Sequence, residues 1–194
     1  MQARRNSIAT EKLVLTALLT ALVGVLSYFG GFIKIGGLAS ISLTLIPVVL
    51  GAALLGPGTG AWLGFVSGIV FFVTPDAAFW FNLSAVGTVL TVLVKGTAAG
   101  LVAGLVFRLL EKRNRYLAVI ASAALAPIAN TGIFLLGCLT FFMDAVREMA
   151  GGAEMSLFAY LMIFFVGLNF LFELLLNLIL SPVLLRILAL WQKK

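Results

Sequence analysis

The sequence of 194 residues has no histidine, a single cysteine and few charges: thirteen Lys or Arg against seven Asp or Glu. Each scarcity excludes something. Without histidine, and with only Cys138 as a thiol, no histidine cluster or thiolate metal site can be assembled, and no metal or cofactor is expected. Cys138 has no partner for an internal disulfide and sits in an apolar run, where it reads as packing. A soluble domain of this length needs roughly a quarter of its residues charged to cover its surface. Here 10% are charged, 62% are hydrophobic and the mean hydropathy is +1.19, so the bilayer must be the solvent. Catalytic groups are missing too. The glycine-rich "GPGTG", 56–60, has no lysine-serine/threonine after it, so it reads as a turn and not a phosphate loop. Such a chain cannot hydrolyse ATP. Uphill transport would need an ion gradient or partner subunits. With no clustered acids or histidines in the loops read below as cytoplasmic, the chain is not expected to be an enzyme.

What is present is a series of long apolar runs. A membrane helix needs about 20 such residues. The runs predict six spans, at about 13–33, 43–56, 58–73, 83–110, 117–142 and 157–190. Proline and glycines at 56–60 cut the second from the third. A re-entrant hairpin over 43–73 is the alternative for that pair. "TPDAAFWFN" reads as a turn with interfacial aromatics Phe79, Trp80 and Phe81, and "MDAVREMAGGAEMS" as a polar loop with a helical turn at the interface. Unbroken apolar runs exclude a β-barrel, whose strands alternate. The expected fold is an all-α integral membrane protein, a single domain over 1–194 forming a six-helix bundle.

An even number of spans puts both termini on one side. Arg4, Arg5, Lys12, Arg108, Lys112, Arg113, Arg115, Arg186, Lys193 and Lys194 then share that side, against Lys34 and Arg147 on the other. The positive-inside rule makes both termini cytoplasmic. Asp76, Asp144, Glu148 and Glu154 fall in the outer loops. The net charge of +6 therefore reflects topology, not a nucleic-acid surface. Arg4-Arg5 reads as a topology anchor rather than an export signal, and Leu13–Ile33 is too long for an ordinary signal peptide.

Two ionisable residues remain deep inside spans, Lys95 and Glu173. Charges there are expensive and face a bundle interior or a solute. Counted from the outer ends, Lys95 and Asn130 lie about 12 residues deep and Glu173 about 16, near the midplane at 1.5 Å per residue. Asn169, Glu173 and Asn177 are spaced i, i+4, i+8 and share one helix face. The cluster reads either as a buried Lys95–Glu173 ion pair or as a pocket, in which Lys95 takes a carboxylate or phosphate and Asn130 and Asn169 take amides or hydroxyls. Phe134, Phe141, Phe164 and Phe170 are candidate walls. A proton-coupled secondary transporter using Glu173 and Lys95 is the competing reading. Gly60, Gly64 and Gly68, and likewise Gly96, Gly100 and Gly104, have the spacing of close helix packing. Ala17, Ala21 and Gly24 form a further small-residue stripe.

"ISLTLIPVVLGAALLGPGTGAWLGFVSG", "LVKGTAAGLVAGLVFRLL" and "PIANTGIFLLG" occur in that order. Together with the short six-span length they resemble the substrate-binding S components of energy-coupling factor (ECF) vitamin transporters, in the branch with riboflavin and pantothenate proteins. The resemblance covers most of the chain. It implies a bacterial plasma-membrane protein that captures a water-soluble vitamin from outside and topples in the membrane to deliver it. Pantothenate, with its one carboxylate, suits a lone lysine, and riboflavin would want a broader aromatic pocket. The resemblance implies a pocket of Lys95, Asn130, Asn169 and Glu173, with residues 34–42 as its lid. Ala17 and Ala21 match the spacing of a motif that contacts a membrane-embedded coupling subunit, and two ATPase subunits complete such a complex.

Overall fold

The computed structural model describes residues 2–30, 32 and 42–191, and among these the chain is helical with no strand. The helices are α1 (Gln2–Gly30), α2 (Leu45–Leu55), α3 (Pro57–Phe71), α4 (Pro75–Leu83), α5 (Ala85–Leu110), α6 (Arg115–Phe141), α7 (Met143–Gly152), α8 (Leu157–Tyr160) and α9 (Gly167–Trp191). A π-helical segment, Leu161–Val166, joins α8 to α9.

Four helical stretches are long and apolar enough to cross a membrane: Thr10–Gly30, Ala85–Leu110, Arg115–Phe141 and Asn169–Trp191. A fifth results if α3 and α4, bent by 84°, count as one broken span. The six-span expectation is thus met by four to five candidates. The second run is the reason: α2 has 11 residues, about 16 Å of helix against a hydrocarbon core of about 30 Å. Other boundaries also differ. The stretch read as a turn with interfacial aromatics contains α4, and the polar loop after α6 contains the ten-residue α7. The last run is divided among α8, the π segment and α9.

Local chemistry explains these breaks. Gly56 has φ +104°, a conformation that β-carbon-bearing residues avoid, and Pro57 follows at the first helical position of α3. Pro75 starts α4 in the same way, after Thr74, whose hydroxyl donates to the Phe71 carbonyl at 2.7 Å. Ser84 caps α5 by accepting from the Gly87 N–H at 3.1 Å, and Asn114 caps α6 by accepting from the Leu117 N–H at 3.1 Å. The Thr88 hydroxyl donates to the Trp80 carbonyl at 2.7 Å and ties α4 down onto α5.

The glycine stripes meet each other. A β-carbon on Gly64 would fall on the Gly96 carbonyl, and one on Gly60 would fall on the Gly100 carbonyl. Gly68 lies against Val92 and Leu93, and Gly104 against Pro57. Antiparallel α3 and α5 are therefore in backbone contact along their shared length, as small-residue stripes permit in lipid. The Ser122 hydroxyl on α6 adds a buried bond to the Ala103 carbonyl on α5, at 2.9 Å. At the end of the bundle holding the Gly56 turn, Val49, Ala103, Phe107, Val119 and Leu184 form one apolar core. Trp80, Phe134, Phe142, Val146 and Tyr160 form another at the opposite end. The outer faces are apolar as well: Leu109 is 77% exposed and Ile179 71%. An apolar surface of that extent is incompatible with water and suits lipid.

Candidate functional site

Between the α3–α5 seam and the second core lies a cavity with about 80 Å³ available to the centres of water-sized molecules. That is several times the ~10–15 Å³ that seats one water. Its wall draws on α1 to α6 and on the chain just before α2. The Gly64–Gly96 contact forms part of one side, so close helix packing shapes the cavity directly.

Lys95 and Asn130 are on this wall. The Lys95 ammonium lies 5.0 Å from the centroid of the Phe134 ring and 5.8 Å from that of Phe71, in range for cation–π attraction. Asn169 and Glu173 are buried on α9 but are not among the described wall residues. Glu173 stands behind the wall. Its Oε1 accepts the Ser42 backbone N–H at 2.7 Å, and its carboxyl also takes a side-chain hydrogen bond from Asn130. Through Asn130 and Ser42, both on the wall, Glu173 touches the site at one remove. Asn177, on the same face, donates to the Glu173 backbone carbonyl at 2.8 Å and serves its own helix.

The structure adds residues that the sequence alone did not single out. Asp76 is only 4% exposed and sits on the cavity wall, not in a solvated loop. It occupies the first turn of α4, where a carboxylate complements the positive end of the helix. Its signal was legible: "TPD" is a cap residue, a first-position proline and a first-turn acid in succession. The aromatic wall consists of Phe71, Trp80, Phe134 and Phe142. Trp80 meets Phe134 edge-on at 5.3 Å and Phe142 at 5.2 Å. Of the candidate wall residues whose side chains are described, Phe134 belongs to it. Phe141 is 45% exposed because α6 turns it outward, Phe170 is off the described wall, and the side chain of Phe164 lies outside those described. A third feature is a hydroxyl cluster. Ser27 and Ser67 are 2.8 Å apart and Thr44 is 3.1 Å from Ser67, which joins α1, the start of α2 and α3 at the cavity edge. Of the expected lid, residues 34–41 lie outside the described residues, and Ser42 is its described end.

This geometry separates the two readings of Lys95 and Glu173. Glu173→Ala deprives the Ser42 N–H and the Asn130 amide of their acceptor, which for a buried donor costs about 1–3 kcal/mol. A lower thermal midpoint in detergent is the expected result. Adding Lys95→Ala should not restore it, since Glu173 is held by hydrogen-bond donors. Full recovery in the double variant would instead identify a structural ion pair.

Among the described residues no group of three or more His, Cys, Asp or Glu could hold a metal. Comparison with protein families matches residues 11–185 to the model described as ECF transporter, substrate-specific component. No curated protein and no solved structure matches the chain.

Proposed function

From the chain's membership of the ECF transporter substrate-specific component family, we propose that it is the subunit that captures a water-soluble vitamin from outside a bacterial cell and delivers it across the plasma membrane. It works with a membrane-embedded coupling subunit and two ATPase subunits. The observation that carries this reading is the cavity, which combines four aromatic rings, a lysine, an amide and several hydroxyls inside an otherwise apolar bundle. Few convergent polar groups within an apolar pocket are what a small-molecule site requires.

The roles follow from the chemistry. Lys95 offers a cation to an acceptor or anionic group, Asn130 offers an amide, and Asn169 and Glu173 support them from α9. Pantothenate would set its carboxylate on Lys95. Riboflavin fits the ring wall of Phe71, Trp80, Phe134 and Phe142. Ala17 and Ala21 face the coupling subunit. Both termini are cytoplasmic in a six-span topology.

The test is uptake in proteoliposomes. Accumulation should require the coupling and ATPase subunits and internal ATP, and should survive collapse of the proton gradient. Uptake by the chain alone that stops when the gradient collapses would replace this reading with proton-coupled secondary transport.

A further inference from the structure

The charges on the cavity wall restrict its ligand. Among the described wall residues, Lys95 and Asp76 are the charged ones, a cation and an acid. The Glu173 carboxyl stands directly behind, bonded to the wall residues Ser42 and Asn130. Both carboxyls act electrostatically on Lys95. The lysine is therefore not a lone cation awaiting an anion. Counted over these three described groups, the charge is −1 with both acids ionised and zero with the Glu173 carboxyl neutral. Neither sum leaves the surplus positive charge that holding an anion in a low-dielectric site demands. The Lys95 ammonium is further stabilised by the faces of Phe71 and Phe134.

We infer that the substrate carries no net negative charge: it is a neutral or cationic, ring-bearing solute that sets a hydrogen-bond donor or positive group on Asp76 and an acceptor on Lys95. This rests on the capture reading above. Asp76 is the specificity-determining residue in it. It lies on the wall with Trp80, one helical turn further along α4, so a ring against Trp80 brings its substituents to Asp76.

The experiment titrates the purified full chain in nanodiscs by calorimetry with three probes: pantothenate as monoanion, riboflavin as neutral ring compound and thiamine as cationic ring compound. Riboflavin or thiamine is expected to bind at least about tenfold tighter than pantothenate, a difference of about 1.4 kcal/mol. Asp76→Asn should narrow that ratio by roughly tenfold, through a gain for pantothenate or a loss for the favoured probe. Pantothenate binding as tightly as both others overturns the charge assignment and leaves the capture reading standing. An unchanged ratio in folded Asp76→Asn overturns it as well. If that variant does not fold, the ratio in the unmodified chain decides. Binding of none of the three overturns the charge assignment and leaves the capture reading to the uptake test in proteoliposomes.

Discussion

Replacing Gly64 by leucine is expected to leave no folded monomer, and even Gly64→Ala should lower the thermal midpoint clearly. The reason lies in what a β-carbon would meet. At Gly64 it falls on the carbonyl of Gly96, which is backbone and has no rotamer to move aside. Alanine in a helix gains about 0.5–1 kcal/mol over glycine in propensity. Overpacking costs typically 1–3 kcal/mol and more where backbone must shift, so the loss outweighs the gain. Gly132→Ala is the control. It sits mid-α6 with nothing within 4 Å of an added β-carbon, so propensity alone should operate and the midpoint should hold or rise. Thermal unfolding in detergent, followed by size-exclusion monodispersity, checks both. A Gly64→Ala variant as stable as Gly132→Ala would show that α3 and α5 are not in backbone contact. Because this contact also forms one side of the cavity, ligand binding should be lost along with the fold.

The second large effect is on assembly. On α1, Leu19 and Val23 turn inward against Val48 and Leu63, while Ala17 and Ala21 are exposed beside Leu18 and Leu22. Nothing lies within 4 Å of a β-carbon on Gly24. The two glycine stripes of α3 and α5 have found each other, but the α1 stripe has no partner among the described residues. Small residues let a neighbouring helix approach closely, and two indoles there would hold it off. Ala17→Trp with Ala21→Trp is therefore expected to leave the thermal midpoint and ligand affinity of the isolated chain unchanged. Co-purification with the coupling subunit should fall by about tenfold or more. Unimpaired assembly, or lost ligand binding with normal assembly, would refute this assignment of the face.

How far the sequence reached can be judged on particular residues. The apolar runs made α1, α5 and α6 legible because each is a single helix with capped or charged ends. The second and third runs misled because hydropathy measures apolarity and not length. Eleven residues of α2 look as greasy as a full span. The aromatics of α4 point to an interface and hide the helix, although its Thr-Pro-Asp start announces it. Lys95 and Asn130 could be singled out because polar residues are rare in such runs. Depth alone could not separate them from Glu173. Which of the three faces a cavity depends on the rotation of α9 and on the Ser42 backbone N–H, which has no sequence signature. Asp76 was legible as an acid but not as a buried one, because its burial comes from Thr88 holding α4 against α5.

The most direct test of the central claim is to purify the chain alone in detergent from a vitamin-replete host and identify what it carries by mass spectrometry. A stoichiometric, tightly held vitamin that disappears in Lys95→Ala, with the thermal midpoint of the empty protein unchanged, is the expected result. A chain that arrives empty, and binds no water-soluble vitamin at micromolar concentration, would contradict substrate capture.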